Sequence, residues 1–315
     1  MCGIVGYVGK NQAPSILIDG LGKLEYRGYD SAGIAVFDGN EINIAKTKGR
    51  LSNLIKLLLE NPLSGTIGIG HTRWATHGAP SDTNSHPHIS EDHKIAVVHN
   101  GIIENYMDIK EELLKEGYHF LSETDTETIA HLIDYYYKES MDFEDSVFKA
   151  VSRLEGSYAL GIICKDSPDK LIAVRKGSPL VIGKGNGENF IASDIPALLN
   201  YTREVYFLEE EEIAVITDND ISIYDSNRNK IERDIYHVTW DIEAAEKSGY
   251  AHFMLKEIHE QPKIVRETIL KRLPETEDGI VLDNIKLSKQ ELENIDRIYV
   301  VACGTAYYAG LIGKH

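Results

Sequence analysis

The chain opens with Met1-Cys-Gly-Ile-Val-Gly-Tyr-Val8, and this stretch decides how the rest of the sequence is interpreted. Residues 2–8 form a strand-like apolar run, and the small side chain of Cys2 favours removal of Met1. Cys2 then carries both a thiol and a free α-amine. Because an α-amine titrates at about pH 8, it can take the proton of the thiol. The alternative is a small buried residue at the start of a strand, which Cys2 alone would favour.

Two further stretches favour chemistry at Cys2. They are His71-Thr-Arg-Trp-Ala-Thr-His-Gly78 and Val98-His-Asn-Gly-Ile-Ile-Glu-Asn-Tyr106. Acyl transfer to a thiol develops an oxyanion, which needs fixed hydrogen-bond donors. A strand that ends at Asn100 and Gly101 supplies a side-chain amide and a backbone N–H at one place. The same dipeptide also fits a type I′ hairpin turn.

Three other residues are candidates for binding a small ligand. Arg73 offers a planar fork for a carboxylate, or else forms a surface salt bridge. Trp74 can cover such a ligand, or it belongs to the core. Asp125 lies near a predicted helix start, where it can pair with an ammonium group. Thr124 and Glu127 match a capping box at the same place, so this segment also has a purely structural interpretation.

Six histidines fall between positions 71 and 99, which raises the question of a metal site. The sequence contains no HExxH motif, and neither a cysteine nor a carboxylate stands beside these histidines at ligand spacing. A loop of imidazoles that hydrogen-bond an anionic substrate explains them equally well. We therefore predict no metal and no other cofactor.

Up to about Trp240 the pattern predicts strands with interspersed helices. Predicted strands are Cys2–Val8, Ala32–Phe37, Ile42–Ala45, Thr66–His71, Lys94–His99, Tyr158–Cys164 and Lys170–Val174. Predicted helices are Ser15–Leu24, Asp108–Lys115, Asp125–Lys138 and Asp142–Leu154. Turn signals such as Asp38-Gly39-Asn40 favour hairpins and antiparallel sheets. Gly183–Gly187 lacks the GxGxxG spacing of a phosphate loop, so it also predicts a hairpin turn.

After Trp240 the composition changes. Asp241–Tyr250 is polar and predicts a linker, His252–Leu273 predicts a helix, and Ile298–Ala302 predicts a buried strand that leads into a helix at Cys303–Ala306. We therefore predict one domain at residues 2–240, a linker at 241–250 and an incomplete second domain at 251–315. A buried parallel strand needs neighbours, so we expect residues beyond about 250 to lack their native sheet in this chain.

Composition narrows the classes of function. The 315 residues include 33 Lys and Arg against 50 Asp and Glu, a formal net charge of −17. Such an acidic chain repels phosphate backbones, which argues against binding nucleic acid or an anionic membrane. No stretch reaches the roughly 18 apolar residues of a membrane span. The amino terminus does not resemble a secretory signal. Cysteines at positions 2, 164 and 303 form no CxxC pair, so we expect a reduced cytoplasmic protein.

These segments together resemble the glutamine amidotransferases of the N-terminal-nucleophile type and, among them, the glutamine–fructose-6-phosphate aminotransferase family. The matching stretches are Met1–Gly6, Leu24–Gly33, His71–Gly78, His99–Asn105, Ser122–Glu127, Ser178–Gly183, Glu257–Pro262 and Ala302–Thr305. The resemblance implies an α+β fold: a four-layer αββα sandwich of antiparallel sheets, followed by the beginning of an α/β sugar-isomerase domain.

The resemblance also implies roles for individual residues. Cys2 is expected to be the nucleophile that forms a glutamyl thioester, with Asn100 and Gly101 in the oxyanion hole. The other implied roles are Arg73, Thr76 and His77 beside the glutamine carboxylate, Asp125 beside its ammonium, Trp74 as a gate over the ammonia exit, Arg27 and His86 as supporting residues, and Thr305 as a sugar-phosphate contact. Ala306 stands where the family often has serine, which removes one hydroxyl from that phosphate site.

The family's isomerase half extends beyond His315, so we expect this chain alone to show only glutaminase activity. Fructose 6-phosphate is the expected acceptor in the full enzyme, glucosamine 6-phosphate its product, and a homodimer through the isomerase domain its assembly. Alternatives within the class are a phosphoribosyl-pyrophosphate amidotransferase and an asparagine synthetase. An alternative from another class is a non-catalytic sugar-phosphate sensor.

Overall fold

The computed structural model describes residues 2–75, 78–239, 250, 252–270, 272–273, 287–302 and 304–314. Two compact units can be distinguished, Met1–Ala245 and Glu246–His315. The predicted linker 241–250 lies outside the described residues except for Tyr250. All of the described strands belong to the first unit, so the site is built there.

In the described part of the first unit, fifteen strands form two sheets, in which every neighbouring pair is antiparallel. The strands are β1 Gly3–Val8, β2 Ser31–Phe37, β3 Ile42–Lys48, β4 Ile67–Arg73, β5 His88–Ile89, β6 Ile95–Ile103, β7 Gly156–Cys164, β8 Ser167–Lys176, β9 Val181–Lys184, β10 Asn189–Ala192, β11 Glu204–Phe207, β12 Glu212–Ile216, β13 Ile221–Tyr224, β14 Lys230–Ile231 and β15 Tyr236–His237. The eight-stranded sheet has the order β15-β11-β9-β10-β1-β4-β2-β3, and the seven-stranded sheet has the order β14-β13-β12-β8-β7-β6-β5.

Five α-helices among the described residues cover the outer faces of the two sheets. They are α1 Ala13–Leu24, α2 Leu51–Glu60, α3 Tyr106–Lys115, α4 Asp125–Ser140 and α5 Phe143–Val151. Alternation along the strands sends successive side chains to opposite faces. On β6, for example, Val97 packs with α3, α4 and α5, while Val98 packs between the two sheets. A third cluster joins α1 and α2 to the eight-stranded sheet.

Three apolar cores therefore separate four layers: helices, sheet, sheet, helices. This architecture confirms the predicted α+β sandwich of antiparallel sheets. The hairpins predicted at Asp38-Gly39-Asn40 and Gly183–Gly187 are also confirmed, because β2 pairs with β3 and β9 pairs with β10. Helix α2 was not predicted, although its leucines at positions 51 and 54 are buried.

Two structural alternatives that the sequence left open in the first unit are not found. Asn100 and Gly101 do not form a turn but continue β6, where Gly101 stands opposite Tyr158. Gly101 has a φ of +126°, and a Cβ there would lie 1.9 Å from the Ser157 carbonyl oxygen. The close approach of β7 therefore requires glycine within the strand. The capping box is also absent: Thr124 is the N-cap of α4, but its side chain makes no cap hydrogen bond.

The second unit contains three described helices, α6 Phe253–Leu270, α7 Lys289–Glu293 and α8 Gly304–Gly313. The helices predicted around α6 and α8 are confirmed. The strand predicted at Ile298–Ala302 is wrong, since those residues form no strand and Val301 is 96% exposed. A strand needs a partner for its backbone groups, and residues 287–302 and 304–314 supply none. Across the described segments, no helix is both long enough and apolar enough to cross a bilayer.

Candidate active site

Cys2 precedes the first residue of β1, a central strand of the eight-stranded sheet. Its sulfur is held by the backbone of Trp74: the Trp74 N–H donates to Sγ at 3.2 Å, and the thiol faces the Trp74 carbonyl at 3.5 Å. Burial raises the pKa of the Cys2 thiol, while the Trp74 N–H and the Arg73 guanidinium act in the opposite direction. Because burial prevails, the thiol needs a base to become a thiolate.

Asn100 belongs to the other sheet but reaches Cys2. Its Nδ2 donates to the Cys2 carbonyl oxygen at 3.1 Å. Its Oδ1 lies 2.9 Å from Nε2 of His71, which is on β4. The amide group carries a second N–H besides the one that Cys2 accepts, so Asn100 can donate to an oxygen that forms next to the sulfur.

Gly101 lines the same small cavity as Cys2. The cavity is bounded by a mixed set of sulfur, cationic, anionic and imidazole groups: Cys2, Arg73, Trp74, His86, His99, Gly101, Thr124, Asp125 and Thr126. It lies where one end of the eight-stranded sheet faces β6 and the start of α4. The structure therefore brings the predicted nucleophile and the predicted oxyanion residues together.

Two buried charges of opposite sign also line this cavity. Arg73 ends β4 and is 4% exposed, and its NH2 donates to the Gly78 carbonyl at 3.2 Å. Burial lowers the pKa of the Arg73 guanidinium, and the nearby Asp125 and Asp30 oppose that shift. Asp125 begins α4, and its Oδ2 accepts the Ile103 N–H at 2.9 Å. A cation and an anion fixed beside one cavity match the carboxylate and ammonium of an α-amino acid.

Trp74 stands at the mouth of the cavity. Its side chain is 45% exposed and packs edge-on against Tyr29, with ring centroids 5.5 Å apart. The next residue is also anchored, because the Ala75 N–H donates to Asp30 Oδ2 at 2.9 Å. Trp74 is thus neither a core residue nor remote from the sulfur.

Behind the cavity lies a cluster of buried histidines. His71 stacks on His86 with centroids 4.1 Å apart, and His86 Nδ1 accepts the His99 N–H at 3.3 Å. Burial lowers the pKa of His86 well below its usual value, so the ring is neutral and its Nε2 carries the proton toward Thr126 Oγ1 at 3.3 Å. Thr126 Oγ1 also lies 2.9 Å from His99 Nδ1. These contacts tie the buried histidines to one another and to the start of α4.

A second polar cluster supports the start of α4. Glu127 accepts the N–H groups of Leu121 at 2.9 Å and of Ser122 at 2.7 Å, together with the Ser122 hydroxyl at 2.7 Å. Thr124 Oγ1 lies 3.0 Å from His88 Nε2, which draws it away from the helix N–H groups. This contact explains why the capping box, the structural alternative for this segment, does not form.

Lys46 fixes the loop that carries His86. Its ammonium group donates to the carbonyl oxygens of Thr83 at 3.3 Å, Ser85 at 2.8 Å and Pro87 at 3.1 Å. Burial lowers the pKa of Lys46 to about 8. Sequence reasoning did not identify Lys46, because only the fold brings β3 against this loop.

Arg27, which is described, does not line this cavity. Arg27 forms an ion pair with Asp194 and donates to the Tyr26 hydroxyl at 3.0 Å. Thr76 and His77 lie outside the described residues, and so does the side chain of Thr305, whose backbone belongs to α8. Within the described parts of the chain, no three His, Cys, Asp or Glu side chains are arranged to hold a metal ion.

Comparison with known proteins agrees with this geometry. A family profile described as a glutamine amidotransferase domain matches residues 71–200. The glutamine–fructose-6-phosphate aminotransferase (isomerizing) of Clostridium perfringens is 58% identical over 315 residues, which cover 100% of this chain and 51% of that protein. The protein of the same name from Methanosarcina mazei is 49% identical over 324 residues, which cover 100% of this chain and 52% of that one.

Among solved structures, the glutamine phosphoribosylpyrophosphate amidotransferase from B. subtilis, in complex with ADP and GMP, superposes with a TM-score of 0.63. It is 29% identical, and the match covers 73% of this chain and 50% of that one. The chain therefore contains a glutamine amidotransferase domain, and its fold is similar to that of this amidotransferase. Its sequence belongs, more narrowly, with the glutamine–fructose-6-phosphate aminotransferases. The chain spans about half the length of the curated relatives it matches.

Proposed function

We propose that this chain hydrolyses L-glutamine to glutamate and ammonia through a thioester at Cys2. The single observation that carries the proposal is the convergence of Cys2, Arg73, Gly101 and Asp125 on one cavity, beside which the Asn100 amide donates to the Cys2 carbonyl oxygen. Each side chain has the chemical character that one step of glutamine hydrolysis requires. Each of them is also held in place by hydrogen bonds within the protein.

The chemistry starts with removal of Met1, which exposes the α-amine of Cys2. This amine takes the thiol proton, and the thiolate attacks the carboxamide carbon of glutamine. The second N–H of Asn100 and the Gly101 N–H are the donors that we assign to the oxyanion of the tetrahedral intermediate. The C–N bond then breaks, the α-ammonium returns its proton to the leaving nitrogen, and ammonia departs. Water attacks the remaining thioester and releases glutamate.

Recognition of glutamine rests on Arg73 for the α-carboxylate and Asp125 for the α-ammonium. Thr76 and His77 are proposed to complete the carboxylate side, with Arg27 and His86 as supporting residues. Trp74 is proposed to gate the ammonia exit, because its exposed ring stands at the cavity mouth while its backbone contacts the sulfur.

For the whole enzyme we propose fructose 6-phosphate as the ammonia acceptor and glucosamine 6-phosphate as the product. This follows from the names of the relatives that match the full length of this chain. Residues 2–240 would form the glutaminase domain, 241–250 a linker and 251–315 the start of the sugar-isomerase domain, with Thr305 at the sugar phosphate. Dimerisation through that domain and a cytoplasmic location belong to the same proposal. The phosphoribosylpyrophosphate amidotransferase alternative is less well supported, since that relative is only 29% identical.

The test is to incubate the chain with L-glutamine and measure glutamate and ammonia. A second sample is treated with 6-diazo-5-oxo-L-norleucine, a glutamine-like electrophile, and the modified residue is located by mass spectrometry. We expect turnover, and labelling at Cys2 that excess glutamine prevents. A sugar-phosphate sensor needs no activated thiol, so absence of both turnover and labelling would support that alternative instead.

A further inference from the structure

Among the described residues, the side chain of His71 is the one that hydrogen-bonds the amide oxygen of Asn100. Its Nε2 lies 2.9 Å from Asn100 Oδ1 and 3.0 Å from the His99 carbonyl oxygen. His71 is on β4 of the eight-stranded sheet, whereas Asn100 is on β6 of the other sheet. This hydrogen bond therefore fixes the side-chain amide of Asn100 relative to the eight-stranded sheet. That sheet also contains β1, the strand that Cys2 precedes.

The direction of each hydrogen bond follows from the partners. The Cys2 carbonyl can only accept, so the NH2 group of Asn100 must face Cys2 and its oxygen must face His71. His71 Nε2 then faces two acceptors and must carry a proton. Burial lowers the pKa of His71 to about 3, so the ring stays neutral near pH 7 with that proton on Nε2.

The ring has little freedom to take another orientation. His71 is 1% exposed, stacks on His86 at 4.1 Å, and belongs to a strand that is paired on both sides. Without a donor at Nε2, the buried Asn100 oxygen would lose a partner, and the amide could rotate its NH2 group away from the reaction centre. A donor on Oδ1 also polarises the amide, which strengthens its N–H groups as donors.

We propose that His71 is a positioning residue of the glutaminase reaction, which orients the Asn100 amide so that its free N–H meets the oxyanion. The inference rests on the proposed function, because an oxyanion must form at Cys2. His71 does not itself touch substrate in this scheme. It acts through Asn100.

Two substitutions at position 71 differ mainly in how far their NH2 group extends from the backbone. His71→Gln carries an NH2 group at the same distance along the side chain as Nε2, so it can still donate to Asn100. His71→Asn carries an NH2 group one atom short of that position. Thr72→Val is the matched control, because Thr72 is the next residue of β4, is buried, and has a hydroxyl without a hydrogen-bond partner among the described residues.

We expect His71→Asn to lower kcat for glutamine by about tenfold to a hundredfold with little change in KM, because only the transition-state donor is misplaced. His71→Gln should recover most of this loss, and Thr72→Val should match the wild type. Alkylation of Cys2 by iodoacetamide develops no oxyanion, so its rate should be the same in all four proteins. Thermal unfolding of each variant identifies any loss of the folded state.

A double-mutant cycle with Asn100→Ala tests whether His71 acts through Asn100. In that background, His71→Asn should lower kcat no further. An equal loss of kcat in both backgrounds would overturn the proposal, and so would unchanged turnover in His71→Asn. If the wild-type chain itself fails to hydrolyse glutamine, the proposed function fails, and this outcome differs from every one that concerns His71.

Discussion

The backbone N–H of Trp74 donates to the sulfur of Cys2 across 3.2 Å, although the two residues lie 72 positions apart. This contact favours the thiolate, whereas the burial of the sulfur favours the thiol, and burial prevails. A base close to the sulfur is therefore required, and the α-amine of Cys2 itself is the group that we assign. The first prediction follows from this assignment.

Active protein should lack Met1, which the intact mass will show. A variant with an additional blocked residue before Cys2 should keep its fold but lose glutaminase activity, because the amine becomes an amide that cannot accept a proton. Cys2→Ala is the control, since it keeps the free amine and removes only the sulfur, and it should be equally inactive. Full activity with Met1 retained would exclude the α-amine as the base.

Arg73→Lys should weaken glutamine binding. Lysine keeps the positive charge but loses the planar fork that grips both carboxylate oxygens, so KM should rise about tenfold while kcat changes little. Arg153→Lys is the matched control, because Arg153 pairs with Glu112 and does not line this cavity. Steady-state kinetics with L-glutamine measure both effects. A fall in kcat at constant KM would assign Arg73 to the chemical step instead.

Asn100→Ala should show the opposite kinetic pattern. Removing one oxyanion donor costs about a hundredfold or more in kcat, whereas ground-state binding of glutamine changes little. Asn200→Ala provides the control, since that amide pairs with Asp19 on the surface. If Asn100→Ala changed KM alone, the residue would serve substrate binding and not the oxyanion.

Glu127 should contribute to stability in a defined pH range. Burial alone would raise its pKa, but His131 and the donors of Leu121 and Ser122 lower it to about 2 from a usual value of 4.5. As the pH falls, Glu127 is therefore protonated in the unfolded chain before it is protonated in the folded protein. The contribution of Glu127 to the free energy of unfolding is complete above about pH 4.5 and is lost toward pH 2.

Urea unfolding between pH 7 and pH 3 measures this contribution. Glu127→Gln should be less stable at pH 7, and its stability should fall less steeply below pH 4.5 than that of the wild type. Glu139→Gln, an exposed position on the same helix, should keep the slope of the wild type. Parallel curves for Glu127→Gln and the wild type would contradict the role given to this carboxylate.

The proposed domain boundary predicts the result of limited proteolysis. Cleavage between Trp240 and Tyr250 should leave a core that still hydrolyses glutamine, because the two sheets and every described residue of the cavity precede position 240. Mass spectrometry of the stable fragment locates the cut, and a glutaminase assay tests the core. Unfolding of a chain truncated near Trp240 would show that the boundary is wrong.

The sequence alone singled out Cys2, Arg73 and Asp125, which line one cavity, because each is chemically unusual at its position. It failed where the outcome depends on a partner from a distant part of the chain. Asn100 and Gly101 continue a strand because β7 pairs with them. The side chain of Thr124 does not cap its helix because it contacts His88. Ile298–Ala302 has the composition of a buried strand but no neighbour among the described residues. His71 belongs to one of the motifs, but its hydrogen bond to Asn100 could not be predicted. That bond depends on how two separate sheets pack against each other.

The position of β1 has a consequence for the end of the chain. Terminal segments ordinarily fray, because few contacts oppose their opening. Here β1 pairs with β10 on one edge and β4 on the other, and the Ile4 N–H and carbonyl both bond Ser193 at 3.0 Å. Detaching the terminus would break two ladders at once and expose two apolar cores. We therefore expect the amide protons of residues 4–8 to exchange with solvent among the slowest in the protein. The thiol that we propose as the nucleophile is thereby attached to a strand held as firmly as one in the middle of the chain.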